Sequence, residues 1–428
     1  MFRAIMIVTG ALMLVLFSPS MILAQGGTVN DAATKHAGKI TETAIAHRHA
    51  IRFDGEDFSG PGWTRLLAEG RDAQFFLIGE EHGIAENPKL AAALFSELVE
   101  SGYSGIVVET SPFMAEKLDF AARGGLDEIR NLYSEAGGEP AFFGMQEEAE
   151  FIARTRAAVA TDSSLFWGVD YEVLSDRQLL RRLTEKDKPA AAQRALERLH
   201  AASRASWERY QETRGPQYIF SFAGDPQLVQ DLRENWPDRD REATRILTTL
   251  EETLTINRLF MSGQNWPSNQ RRADLIRSNF LSNWNAAKFN GQTPKLMVKM
   301  GASHLVRGRS YSEAYDLGAL LPEIAAVEGA KAFSILVLPG TGSKTAVFNP
   351  AKFSFDPAPA KDGYAKGLAP VLAAALQDEF TLIDLRALRP VLRSGAMRAD
   401  QNLARAVLGF DMLLIMAGST PSGELQHD

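Results

Sequence analysis

The chain has 428 residues, of which 45% are hydrophobic and 23% charged, and its formal net charge is -7. This composition is sufficient for a large folded core and argues against disorder, and the negative charge gives no indication of a nucleic-acid or anionic-membrane surface. Cysteine is absent, which excludes disulfides, thiol nucleophiles, thiolate metal sites and covalent haem attachment through cysteine.

The first 24 residues have the pattern of a secretory signal peptide. Arg3 provides a positive charge, residues 4–17 are nearly all apolar, and Ala24 is a small residue at the predicted cleavage point. The apolar run is shorter than the roughly 20 residues of a membrane-spanning helix, so cleavage is favoured over a retained anchor. We expect a periplasmic or secreted protein with no stable membrane span after signal cleavage.

Residues 25–60 are polar and contain glycine and three histidines, His36, His47 and His49. We interpret this segment as a mobile or loosely docked arm with solvated histidines. Residues 61–428 are predicted to form the folded domain.

Short apolar runs alternate with amphipathic helical segments along that domain. A helix is expected around Pro88, which suits a first helical turn. The runs read as strands at 75–78, 106–108, 165–167, 296–298, 333–338, 345–348, 380–383 and 412–416. The alternation predicts an α/β fold with a central, mainly parallel sheet flanked by helices. Residues 176–290 are rich in charged residues, and their apolar residues recur at helical spacing. We interpret this region as a helical insertion that shapes a pocket.

Ionisable side chains follow four of these runs. In chain order they are Glu80 and His82, Glu109, Asp170 and Glu172, and His304. The carboxyl ends of parallel strands share one edge, where ligands bind in open α/β sheets. A single carboxylate after a strand is more often solvated or a helix cap, but two histidines together with carboxylates favour a functional pocket.

Two kinds of chemistry suit this set of residues. A histidine oriented by a carboxylate can act as general base on water. Alternatively, two histidines and two carboxylates can hold a divalent metal that activates water. Both routes lead to hydrolysis, and the sequence has no G-x-S-x-G or H-E-x-x-H motif.

The segment 79–83, Gly-Glu-Glu-His-Gly, followed by a helix and by Val-Val-Glu at 107–109, resembles the erythromycin esterase-like superfamily. That group includes the ChaN-like haem-binding proteins and the TraB/Tiki proteins. The resemblance implies an α/β fold with a polar site at the sheet edge. The single residue between Glu80 and His82 is similar to the ChaN and Tiki form, whereas erythromycin esterases usually have two residues there.

A helical pair, Arg272 and Asn279, resembles the esterase branch instead. The two residues are seven apart, about two helical turns, and so face the same way. Where that family has an Asp after the Arg, this chain has Ala273. Arg272 is a candidate for binding an anionic or carbonyl group of the substrate, or alternatively a structural ion pair with Asp274 or Glu251.

The resemblance implies a role for each matched residue. His82 would activate water as general base, Glu80 and Glu109 would orient it or hold charge, and His304 would contact the substrate carbonyl or a developing oxyanion. The predicted substrate-binding set is Arg272, Asn279, Asp170 and Glu172.

The branches of the superfamily differ in cofactor. An esterase acting on an ester or related acyl bond of a small molecule needs none, and this is our first expectation. A Tiki-like protein would use a divalent metal at the same His and Glu positions. A ChaN-like protein would bind haem without catalysis, with Met145 and Met300 as candidate ligands.

Overall fold

The computed structural model describes residues 28–141, 143–160, 163–237, 240–349, 354–360, 365–393 and 400–425. The predicted signal peptide, residues 1–24, lies outside the described residues. Within them, no helix is both long and apolar enough to span a membrane.

The strands of the described ranges form a large central sheet and a separate hairpin. In chain order they are β1 Arg48–Phe53, β2 Phe58–Ser59, β3 Phe75–Glu80, β4 Tyr103–Val108, β5 Phe166–Gly168, β6 Lys295–Gly301, β7 Ala332–Pro339, β8 Lys344–Asn349, β9 Ser354–Pro359, β10 Phe380–Asp384 and β11 Met412–Met416. The central sheet has the order β2-β1-β10-β11-β7-β3-β6-β4-β5.

Pairing in this sheet is parallel from β11 through β7, β3, β6 and β4 to β5. The other edge is antiparallel, since β10 pairs antiparallel with β11, β1 with β10 and β2 with β1. The prediction of an α/β fold with a mainly parallel sheet is therefore confirmed. The run at 345–348 is a strand, but it pairs with β9 in the hairpin, outside the central sheet.

Helices cover both faces of the sheet. In chain order they are α1 Thr28–Ala46, α2 Pro61–Asp72, α3 Glu86–Leu98, α4 Pro112–Ala122, α5 Leu126–Ser134, α6 Gln146–Ala157, α7 Asp176–Thr184, α8 Ala190–Thr213, α9 Phe220–Ala223, α10 Pro226–Asn235, α11 Arg241–Met261, α12 Asn265–Phe289, α13 Leu317–Val327, α14 Ala369–Leu372, α15 Arg389–Arg393 and α16 Gln401–Gly409.

Strand β3 shows how the two faces are covered. Phe76 and Ile78 belong to a core with residues of α3, α4 and α6, whereas Phe75 and Leu77 belong to a second core with residues of α12, α13 and α16. Successive side chains of a strand point to opposite faces, so a strand buried on both sides must be apolar at every position. This requirement explains the unbroken apolar runs in the sequence.

The segment interpreted as a mobile arm is ordered over its described part, so that prediction is corrected. Its residues form α1 and β1, and Ile51 in β1 lies opposite Phe380 in β10. Ile40 and Ala44 of α1 are four residues apart and buried in the second core. A few well-spaced apolar residues thus outweigh the polar composition of the segment, because burial depends on which helix face they share.

The region 176–290 contains α7 to α12 and no strand among its described residues. Most of it packs around a third core that includes Leu179, Leu196 and Leu247. Helix α12 differs, because Phe280 and Trp284 pack edge-on against Phe75 of the central sheet. This helix therefore connects the helical region to the central sheet.

Candidate active site

Four adjacent parallel strands, β3, β6, β4 and β5, bring their carboxyl ends together at one edge of the sheet. Glu80 is the last residue of β3, and Glu109 directly follows β4. Asp170 follows β5 by two residues, and His304 lies in a short 3-10 turn after β6. These side chains converge in the structure, as the sequence predicted.

Glu109 is the centre of the group, which we call the Glu109 cluster: Glu109, His82, His304 and Arg272. Its Oε1 atom lies 2.8 Å from Arg272 Nη2 and 3.3 Å from His304 Nε2. Its Oε2 atom accepts a hydrogen bond of 2.6 Å from the Gly301 N–H and lies 3.4 Å from His82 Nε2. Burial opposes ionisation, but the charges of His304 and His82 hold the pKa of Glu109 well below its usual range.

His82 is the most exposed member of the cluster, with 29% of its side chain exposed against 15% for Arg272, 11% for His304 and 3% for Glu109. Its Nδ1 atom lies 3.2 Å from Glu80 Oε1, so Glu80 and Glu109 contact opposite nitrogens of the ring. Burial would lower the pKa of His82, but the carboxylates of Glu109 and Glu80 outweigh it and raise the pKa to about 9. The imidazolium form is therefore favoured at neutral pH.

His304 is oriented by a residue that the sequence did not suggest, Asp316. The Nδ1 atom of His304 lies 2.7 Å from Asp316 Oδ2. The other carboxylate oxygen, Oδ1, accepts a hydrogen bond of 2.7 Å from the Leu317 N–H at the start of α13. Burial lowers the pKa of His304, but Glu109 and Asp316 together raise it to about 10. In the sequence, an Asp directly before an apolar helical run indicates only a helix N-cap. Its contact with His304 depends on the fold.

Glu80 is held on its buried side by Lys299, another residue that sequence reasoning missed. Lys299 Nζ donates to Glu80 Oε1 at 2.9 Å and to Glu148 Oε1 at 2.7 Å, and no more than 3% of any of these side chains is exposed. Burial raises the pKa of Glu148, which reaches about 7 despite the Lys299 charge. The sequence feature that could have identified this contact is a lysine inside the apolar run of β6, because a buried lysine requires partners.

Arg272 forms ion pairs with two carboxylates, those of Asp170 and Glu109. Its Nε donates to Asp170 Oδ1 at 3.0 Å, its Nη2 contacts Asp170 Oδ2 and Glu109 Oε1, and its guanidinium lies 4.9 Å from the Tyr171 ring. The alternative partners Asp274 and Glu251 are wrong, since they pair with Arg277 and Arg233. The contacts of Arg272 and Asp170 are those of groups that position Glu109.

Asn279 and Glu172 hold the loop after β5. Asn279 Nδ2 donates to the Val169 carbonyl at 2.8 Å. Glu172 accepts from Ser111 Oγ at 2.5 Å and from the backbone N–H groups of Leu174 and Ser175 at 3.2 Å. The structure places both residues beside the Glu109 cluster as supports of the loop that carries Asp170.

Two glycines make the close packing around His82 possible. Gly83 has φ 84°, and a Cβ there would lie 2.3 Å from the Ala346 carbonyl oxygen in β8. The hairpin holds this loop, as Thr345 Oγ1 donates to the His82 carbonyl at 3.0 Å. At Gly301, a Cβ would lie 3.0 Å from His82 Nε2. The imidazole therefore packs directly over backbone that has no side chain.

A divalent metal does not fit these donors. Each carboxylate is already bonded to a cationic side chain, Glu80 to Lys299 and Glu109 to Arg272. A metal bound to these carboxylates would lie next to both positive charges, which oppose its binding. No group of three or more His, Asp or Glu side chains in the described ranges is arranged to hold a metal ion.

The candidate haem ligands Met145 and Met300 are both buried, 2% and 1% exposed, and Met300 packs in the second core. Filling space in a core is the ordinary role of methionine. The prediction of haem binding thus gains no support from these two residues.

No protein-family model matches the sequence, and no curated protein matches it. Solved structures with the same fold do exist. A succinoglycan biosynthesis protein matches with a TM-score of 0.55 at 13% identity, covering 94% of this chain and 100% of its own. A Bacillus cereus protein matches with a TM-score of 0.54 at 14% identity, covering 91% and 99%.

The erythromycin esterase EreC, as a variant in its open conformation, matches with a TM-score of 0.54 at 16% identity. The match covers 89% of this chain and 98% of EreC. Identities this low establish the fold and leave activity open. The chain shares its fold with these solved proteins, and the α/β fold that the resemblance implied is confirmed.

Proposed function

We propose that this protein is an exported hydrolase that activates water with His82 and cleaves an ester or related acyl bond of a small molecule. The observation that carries the proposal is the Glu109 carboxylate between two imidazoles, with His82 Nε2 at 3.4 Å and His304 Nε2 at 3.3 Å. His82 is the more exposed of the two rings, at 29% against 11% for His304.

The general base in this proposal is the neutral form of His82. Its Nδ1–H donates to Glu80, which leaves the Nε2 lone pair to accept a proton from water. The hydroxide so formed attacks the carbonyl carbon, and the C=O electron pair moves onto the oxygen. The Nε2–H of the His304 imidazolium donates a hydrogen bond to that oxyanion. Collapse of the intermediate breaks the bond to the leaving alkoxide, which takes the proton from His82.

The surrounding charges suit these roles. Lys299 holds Glu80 in place behind His82, and Asp316 supports the positive charge on His304. Arg272 partly neutralises Glu109, so that the carboxylate orients both rings without making proton removal from His82 still harder. These contacts support His304 as a hydrogen-bond donor and Glu80 as the group that orients His82.

Export is supported by the signal-like first 24 residues. A small-molecule substrate fits the fold shared with EreC. Metal-independence is supported by the cations bound to Glu80 and Glu109.

The test is a panel of aryl and alkyl esters and lactones assayed with the purified mature chain. The native protein should hydrolyse at least one member, and a chelator should leave the rate unchanged. His82→Ala should lower kcat/KM by about 100-fold or more, the usual contribution of a general base. His200→Ala is the matched control, because this histidine lies on α8 outside the Glu109 cluster.

Retention of the native rate in a folded His82→Ala protein would contradict the proposal. So would loss of activity with chelator and its return on adding a divalent metal. Circular dichroism of both variants separates loss of function from loss of fold.

A further inference from the structure

A concave site on the helical region lies apart from the Glu109 cluster, between α7 and α8. It is an open depression with a volume of about 440 Å³, and it is lined in part by three arginines, Arg177, Arg181 and Arg204. We call it the arginine pocket. Pockets that bind small molecules usually have volumes of roughly 300–1,000 Å³, so the volume is suitable for a ligand.

The pocket is strongly positive although the chain as a whole carries a net charge of -7. Glu197 is the carboxylate in its lining, and it accepts a hydrogen bond from Gln193 on the surface of the same helix. Arg181 lies 3.8 Å from Glu135, which is a weak, half-exposed ion pair. In the part of the chain that the structure describes, Arg177 and Arg204 form no ion pair.

Arg177 is the fixed element of the pocket. Its guanidinium stacks on the Trp207 ring at 4.3 Å, which holds the planar group in one orientation. Its Nε is buried and has no hydrogen-bond partner among the described residues. The neighbouring Asp176 does not satisfy it, since that carboxylate accepts from Ser203 and Trp207. Stacking on Trp207 therefore fixes the guanidinium of Arg177 before a ligand binds.

The pKa of His200 is affected by the same positive charge. Burial and the nearby Arg204 charge lower the pKa of His200, which keeps the ring neutral at pH 7. Its Nε2 lies 2.9 Å from Thr184 Oγ1. The positive charge of the pocket therefore resides on the guanidiniums, whose fork geometry matches phosphate oxygens.

We propose that the arginine pocket binds a small molecule through a phosphate group, in addition to and independently of chemistry at the Glu109 cluster. Three guanidiniums around one concavity provide more donors than a single carboxylate ligand can accept from. A volume of about 440 Å³ leaves room for an organic group attached to the phosphate.

The experiment is calorimetric titration of the full mature chain with inorganic phosphate at constant ionic strength, with chloride as the reference salt. Saturable binding and a rise in Tm are expected. Arg181→Gln/Arg204→Gln should weaken binding by about tenfold or more, since two charge-assisted contacts are lost. Arg194→Gln, an exposed position on α8 outside the pocket, should bind as the native chain does.

Further arms identify the source of the phosphate and separate the two sites. Tighter binding of glycerol 3-phosphate than of inorganic phosphate would identify a phosphate ester as the ligand, and the reverse would identify the free ion; either supports the pocket. His82→Ala should bind phosphate with native affinity. The proposal is overturned if binding is not saturable, or if Arg194→Gln weakens it as much as the double variant.

Discussion

Lys299 Nζ lies 2.9 Å from Glu80 Oε1, and both side chains are only 1% exposed. This buried ion pair connects the interior of the sheet to the site, because the same Glu80 oxygen contacts His82 Nδ1. The orientation of the solvent-facing imidazole therefore depends on a lysine below it that no ligand can reach.

Replacement of Lys299 tests this dependence. Lys299→Met removes the cation between the buried Glu80 and Glu148 carboxylates and should lower the free energy of unfolding by about 3–5 kcal/mol. Adding Glu148→Gln should restore part of that loss, because one buried carboxylate is then uncharged. Chemical denaturation measures both. Lys295→Met, at the more exposed start of β6, is the control; an equal loss there would refute a special role for the buried pair.

The pH dependence of hydrolysis tests the role of His82. Its pKa of about 9 means that about one molecule in a hundred carries the neutral ring at pH 7. We expect kcat/KM to rise with pH and to level off near pH 9. Glu80→Gln removes a carboxylate that raises this pKa, so the rise should move to lower pH by about one unit. Glu81→Gln is the neighbouring control, and a shift of equal size there would contradict the assignment.

Stability should fall as pH rises through the same range. Burial lowers the pKa values of His82 and His304, but the carboxylates that they contact outweigh it and raise the values from 6.5 to about 9 and about 10. Their protonated forms stabilise the folded chain fully below pH 6.5, and this stabilisation is lost progressively up to about pH 10. We expect the free energy of unfolding to decrease across this range. Denaturant titrations between pH 6 and 10 measure it; His82→Gln should flatten the curve, and an unchanged slope would argue against the shift.

The contact between Gly301 and His82 gives a steric prediction. Gly301→Ala would place a Cβ 3.0 Å from His82 Nε2 and 3.3 Å from Glu109 Oε2. The partly exposed imidazole should move outward, so kcat should fall by about tenfold or more while stability changes by no more than about 1–3 kcal/mol. Gly38→Ala, where a Cβ meets nothing within 4 Å, should leave kcat unchanged. Native kcat in Gly301→Ala would show that this ring position is not required.

Sequence reasoning found most of the sheet and the ends of its strands. The apolar runs predicted β3, β4, β5 and β6 because strands buried on both faces must be apolar throughout. Parallel order then placed Glu80, His82, Glu109 and His304 at one edge. It could not find β1, since that strand is recognisable only from its pairing with β10.

What the sequence determined by itself is the set of ionisable residues at the strand ends and the fold that carries them. Only the tertiary structure decided how they pair. The contacts His304–Asp316, Lys299–Glu148 and Arg272–Asp170 join residues 12, 151 and 102 positions apart. No local periodicity encodes such pairs, because they arise from the need to neutralise each charge that the fold buries. The motif around Glu80 and His82 was visible in the sequence, but the protonation that governs its chemistry is set by these distant partners.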